Sequence, residues 1–327
     1  MKTEKLVDIR EYAEQKERRK SKIRKVVSVG GFLGPYTISF LMFFVFPLVF
    51  GIVMSFSKFS SKSFLPESFG TLENYKVLFG NTAISRDFRN SVKTTIKFCL
   101  CIVPLSILIP LGLALLINLK PPGYKFFRAA IYVPGIFPLT ATGLILMRLF
   151  DSHYGWINSV FNLTTDWFGE VGSCWFMIGF FCIWCGIGGN FIIFCAGLEN
   201  VDKSLYEAAD VDGCSPWKKF LHVTLPGIRP QIFLTLFTTL IGYMNVYGQI
   251  YILGSNNPDL NKMKSAVYRI QDLLAGSNPR AFGYAAAMGI CLGIIIIAIS
   301  AVQLITDKEK RGGNKRVTQF AKWKESK

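Results

Sequence analysis

An all-α membrane protein that crosses the bilayer six times is the fold class the sequence predicts, and three observations predict it. Apolar residues come in long blocks separated by short polar stretches. Charged residues make up 18% of the chain against 51% hydrophobic, with a mean hydropathy of +0.36, too little charge for a soluble domain of this length. Basic residues collect at the ends and in particular loops.

A bilayer core takes about twenty apolar residues in helical form. The first run covers about 31–56, opening with Gly31-Phe32-Leu33 and ending just past Met54. The second covers about 95–118 and the third about 127–149. The fourth covers about 175–197, the fifth about 231–253 and the sixth about 283–305. Residues 1–30 form a basic N-terminal segment, 31–306 the membrane domain and 307–327 a basic tail.

Positive residues orient the set. Lys16, Arg18, Arg19, Lys20, Lys22, Arg24 and Lys25 precede the first span. Lys120, Lys125 and Arg128 follow the second, Lys203, Lys218, Lys219 and Arg229 follow the fourth, and the tail carries eight more. If the spans alternate, all of these share one side, while the 150–173 loop opposite has no Lys or Arg. Both termini are therefore expected in the cytoplasm. The N-terminal basic run serves as a topology anchor, with anionic lipid as a second use.

Several classes fall away. The net charge of +16 is not gathered on one soluble domain, which argues against nucleic acid. Cys182 and Cys185 have metal or redox spacing, but no second pair and no His stands near them, so they read as packing residues and no metal is expected. His153 and His222 have no ligand set around them. Asn162-Leu163-Thr164 matches a glycosylation sequon, meaningful only in a eukaryotic source. The charged first thirty residues do not read as a cleavable signal peptide. No phosphate-binding Gly-x-x-x-x-Gly-Lys-Ser/Thr loop occurs, so the chain is not expected to hydrolyse ATP or to act as an enzyme. The span interiors hold no Asp or Glu, which argues against an ion-coupled secondary transporter.

One loop, about 199–229, has helix signals of its own. Ser204 and Glu207 have the spacing of a capping box, which predicts a short helix to Val211 that stops near Gly213. Ser215-Pro216 predicts a second helix, with Ser as cap and Pro at the first position, running to about Thr224. Pro226 and Pro230 end it and lead into the fifth span. The pair would carry Leu205, Ala208, Ala209, Trp217, Phe220 and Leu221 on an apolar side, covered by lipid head groups, by the spans or by a partner.

Glu207-Ala208-Ala209, Asp212-Gly213 and Leu225-Pro226 in this spacing resemble the EAA loop of permease subunits of binding-protein-dependent ABC importers. The resemblance spans about 31–306 and is similar to the carbohydrate-uptake branch, the maltose and glycerol-phosphate type. Other segments that carry it are Asn74-Tyr75, Arg128-Ala129-Ala130-Ile131-Tyr132-Val133-Pro134, Gly155-Trp156-Ile157-Asn158, Gly197-Leu198 and Phe282-Gly283-Tyr284-Ala285. Tyr247-Gly248 and Gly254-Ser255-Asn256-Asn257-Pro258 depart from the family's usual Phe-Asp and Gly-Gly-Pro-rich sequences. The resemblance implies a MetI-like fold, with the loop as the element that docks on a separate ATPase. Ser204, Glu207, Ala208, Ala209, Asp212, Gly213, Leu225 and Pro226 would form that element. It further implies an ATPase dimer holding ATP and Mg²⁺, a second permease subunit and an external solute-binding protein.

Polar and helix-breaking residues inside the spans are the candidates for a solute path. They are Pro138 in span three, Trp184 and Asn190 in span four, and Tyr243, Asn245, Tyr247 and Gln249 in span five. Amides there would bond sugar hydroxyls, and Trp184 or Tyr243 would stack on a sugar ring. The same side chains would serve equally as interhelical hydrogen-bonding groups with no solute contact. Arg148 and Asp151, at the outer end of span three, would pair with each other, meet a docked protein or lie in the interface.

Overall fold

The computed structural model describes residues 30–59, 66–255, 257–276 and 279–325, and the predicted N-terminal basic segment lies outside them apart from its last residue, Gly30. In chain order the elements are α1 (Gly30–Ser55), a small antiparallel ribbon of β1 (Lys58–Phe59) and β2 (Pro66–Ser68), α2 (Glu73–Phe79) and α3 (Ala83–Asn118). Then come α4 (Tyr124–Tyr132), α5 (Leu139–Leu149), α6 (Trp156–Phe161), α7 (Val171–Glu199), α8 (Lys203–Val211) and α9 (Pro216–Lys219). The chain closes with α10 (Arg229–Met244), α11 (Gly248–Gly254), α12 (Ala266–Ala275) and α13 (Arg280–Glu325).

Each of the six predicted apolar runs has a helical counterpart, but only four are continuous. Among the described residues α1, α3, α7 and the 280–305 part of α13 are long and apolar enough to cross a membrane. α13 then continues to Glu325, so the predicted tail extends the last helix. α3 begins at Ala83, a dozen residues before the predicted span, because Thr82 caps it by accepting from the Ser85 amide at 3.1 Å.

The other two runs are broken. In the third, Pro134 enters a 3-10 turn (Val133–Ile136), Phe137 and Pro138 are extended, and the helices before and after the break meet at 101°. The fifth was expected as one span, and the structure corrects this: α10 stops at Met244 and α11 starts at Gly248. Two side chains stabilise that break. The Asn245 amide donates to the Ile241 carbonyl at 2.8 Å, and the Ser265 hydroxyl donates to the Val246 carbonyl while accepting from the Tyr268 amide. These bonds satisfy backbone groups that an interrupted helix leaves open.

Small residues set the packing. A Cβ at Gly179 of α7 would stand 2.6 Å from Ile102 Cδ1 of α3, and one at Gly188 would stand 3.0 Å from the Tyr132 backbone. Such close approach lets the helices pack through dispersion where lipid gives no hydrophobic drive. Two apolar clusters result, one around Phe191, Phe194 and Leu198, the other around Met177, Phe181 and Ile250. Tyr243 packs against both.

Candidate functional site

The loop after α7 folds as the predicted helix pair, with its cap moved. Asp202 is the N-cap of α8 and accepts from the Ser204 amide at 2.9 Å, while Ser204 lies inside the helix. The capping box between Ser204 and Glu207 is therefore corrected. Asp competes equally well for this position, and its carboxylate also meets the positive end of the helix dipole. The Ser204 amide holds the Asp202 carboxyl below its usual range. Glu207, released from capping, is exposed and makes no ion pair among the described residues.

The turn after α8 has a defined chemistry. The Cys214 amide donates to the Ala209 carbonyl at 2.9 Å and the Gly213 amide to the Asp210 carbonyl at 3.0 Å. That double bond pattern is the Schellman motif, whose left-handed position falls on Gly213 at φ +66°. Ala209 is buried, Ala208 is exposed, and Asp212 is the C-cap. The motif residues Ala209 and Gly213 are thus the inner wall and the corner of the turn.

Ser215 caps the second helix as predicted, accepting from the Lys218 amide at 3.4 Å, with Pro216 in the first turn. The helical run does not end at Thr224. It passes through a π turn (Phe220–Thr224), closed by the Leu225 amide donating to the Phe220 carbonyl, and on through Leu225–Gly227. Pro226 has no N–H to offer one turn back, and widening the ladder absorbs its ring. Pro47 follows the other π turn, Leu41–Val45, at the same spacing.

Two contacts, both invisible to sequence spacing, lock the pair. Tyr206 Oη and the buried Thr224 Oγ1 share a hydrogen bond of 2.9 Å, and Lys219 forms an ion pair with Asp210. The pair leaves apolar side chains in the open: Leu205 is 51% exposed, Trp217 66% and Val211 89%. Beneath it, Gly197 lies against Gln231 and Gly227 against Val201.

The candidate path residues divide in two. Asn190 donates to the Ser106 carbonyl at 2.9 Å and to Thr239 Oγ1 at 3.0 Å. Tyr243 shares a 2.8 Å bond with Ser106 Oγ and donates to the Cys182 carbonyl at 3.2 Å. These two form one polar belt across α3, α7 and α10, and Trp184 stacks on Phe180 at 6.1 Å beside it. The second group surrounds the breaks. Pro138 is the N-cap of α5, and a Cβ on Gly248 would meet the Leu139 side chain at 2.5 Å, so both breaks adjoin. Asn245 is exposed, Gln249 is half-buried and Tyr247 stacks on Tyr251 and packs on Tyr268 at 5.6 and 5.5 Å.

At the end of α5, Asp151 accepts from the His153 and Tyr154 amides at 2.9 Å each, which holds its carboxyl below the usual range. It forms no ion pair with Arg148. Both line a cleft of about 660 Å³ with Asp166. Among the described residues no group of three or more His, Cys, Asp or Glu is placed to hold a metal ion.

The sequence profile of the binding-protein-dependent transport system inner membrane component family matches residues 103–312. The chain is 32% identical to the arabinooligosaccharides transport system permease protein AraP of Bacillus subtilis, over 84% of this chain and 86% of that one. It is 29% identical to the sulfoquinovosyl glycerol transport system permease protein SmoG of Agrobacterium fabrum, over 83% and 87%. In fold it is similar to a chain of a bacterial ABC transporter involved in the import of the acidic polysaccharide alginate, with a TM-score of 0.77, 20% identity and coverage of 89% and 99%.

Proposed function

The chain belongs to the family of binding-protein-dependent transport system inner membrane components, and from that premise we propose that it is the permease through which an ABC importer passes a carbohydrate. It is a transport subunit, with ATP and Mg²⁺ held by a partner ATPase dimer. A second permease completes the membrane unit, and a solute-binding protein delivers from outside. Both termini face the cytoplasm, on the charge distribution described above.

One observation carries this reading: a rigid helix pair whose apolar side chains point away from the rest of the chain. Leu205, Val211 and Trp217 keep half or more of their surface exposed, while Ala209, Gly213 and the Tyr206–Thr224 bond fix the turn between the helices. An exposed patch on a locked element is a docking surface. Closure of the ATPase dimer around ATP would push this element, the spans would rock, and the polar groups near Pro138 and Asn245 would receive solute. The names of AraP and SmoG, a carrier of arabino-oligosaccharides and one of a sugar glycerol, support a carbohydrate. The half-buried and exposed amides and tyrosines at the breaks suit hydroxyl recognition.

The test is reconstitution. Purified with its partners in liposomes, the complex should accumulate oligosaccharide only with ATP and the binding protein. Uptake by this chain alone without ATP overturns the reading.

A further inference from the structure

Resting on the orientation proposed above, we infer that the outer end of α3 carries a binding site for anionic phospholipid of the outer leaflet. Arg86, Arg89, Lys93 and Lys97 are all exposed and spaced by three, four and four residues. At 100° per residue they fall on one face of α3, along about 16 Å of its axis. None of the four has an ion-pair partner among the described residues; the neighbouring acids Asp87 and Asp259 are engaged by Arg269 and Lys262 at 2.6 and 2.8 Å. Four free cations on the outer side run against the charge rule that orients the other loops, so topology does not account for them.

The stripe leads into a cleft of about 430 Å³ between α3 and α7, lined by Thr94, Lys97, Phe98, Cys101, Trp175 and Lys262. The cleft is closed below where Gly179 meets Ile102. Phe98 and Trp175 pack at 5.2 Å to form its apolar wall. Below Lys97 the same face of α3 continues as Leu100, Cys101, Leu105 and Leu108, and Leu100 and Leu108 are 71% and 61% exposed. Cations and an indole at head-group depth above an exposed apolar strip match a phosphodiester head group with its acyl chain beneath. An acidic saccharide would match the cations but not the strip.

The full importer is placed in nanodiscs of one fixed phosphatidylcholine and phosphatidylglycerol mixture, with brominated chains on either lipid. The readout is quenching of the emission that Trp175→Phe removes. Brominated phosphatidylglycerol is expected to quench more strongly, with an enrichment of about fivefold per engaged lysine. Lys93→Gln with Lys97→Gln should bring the two lipids level, while Lys97→Arg should keep the preference. Equal quenching in the unmodified chain overturns the inference, as does a preference that survives both glutamines or one that soluble oligogalacturonate abolishes. Orientation is read separately, by labelling Asn81→Cys with an impermeant maleimide on intact cells. Labelling only after lysis overturns the orientation and the outer-leaflet assignment, and leaves the lipid preference to stand on the nanodisc result.

Discussion

Replacing Gly213 by Ala isolates what the turn of the proposed docking element requires. The residue sits at φ +66°, and an added Cβ meets nothing within 4 Å, so no clash arises within the chain. The cost is conformational: an L-residue held in the left-handed region loses roughly 1–2 kcal/mol. The spans are far larger than this turn and bury their own core, so insertion and thermal stability of the permease should barely move. In the variant the free turn relieves the strain by changing the angle between the two helices, so the loss falls on the docked state, where that angle must be restored. A 1–2 kcal/mol penalty there weakens ATPase binding by about 5- to 30-fold. Titration of the purified ATPase against the permease in nanodiscs, with uptake measured in parallel, reads that factor directly. Gly213→Asn should recover most of it, since Asn tolerates the left-handed region. If Asn and Ala weaken docking equally, a partner atom that excludes any side chain is the cause, and the backbone argument is wrong. If neither weakens it, the turn is not part of the docking element.

Other outcomes follow from the same geometry. Glu207→Lys leaves the fold intact, because that carboxylate makes no ion pair among the described residues, and is expected to uncouple ATP hydrolysis from uptake; normal coupled uptake removes Glu207 from the interface. Asn245→Ala should lower uptake with the complex still assembled, as measured by transport and co-purification, and unchanged uptake takes Asn245 out of the path. Tyr243→Phe deletes two interhelical bonds at about 0.6 kcal/mol each, so the midpoint of thermal unfolding should fall by a few degrees. Asp202 titrates below the usual carboxylate value, so its cap is fully present above the unfolded pKa of about 3.9 and is lost as pH falls through the folded one. Asp202→Asn should therefore flatten the acid limb of ATPase docking, read as binding against pH.

The long apolar runs were legible because a bilayer demands length, and length survives any packing detail. The break at Pro138 was legible too, since Pro134, Gly135 and Pro138 crowd into little more than one turn, whereas the single prolines Pro104 and Pro110 are carried within the continuous α3. The break at Asn245 was not. No proline marks it, and it is held by Ser265, twenty residues on, through a bond that no local pattern announces. The cap of α8 shows a different failure. Asp202 and Ser204 are both competent caps, and sequence spacing favoured the one with a Glu three residues later. The Tyr206–Thr224 bond and the polar belt of Ser106, Asn190 and Tyr243 join residues from separate helices, so only the packed chain displays them.

The adjoining breaks have an electrical consequence. α5 begins at Leu139 and α10 ends at Met244, so the amide end of one helix adjoins the carbonyl end of another, whose Ile241, Gly242 and Tyr243 carbonyls keep a second lone pair beyond the bonds they accept from Asn245 and Val246. Their aligned peptide dipoles give each end roughly half an elementary charge, positive at α5 and negative at α10. Neither end is an ion, so a solute passing there, as proposed above, would need no counter-ion. A neutral molecule bearing many hydroxyls can use both signs at once, donating to the carbonyls and accepting from the amides. A lone cation or anion can use only one and is repelled by the other.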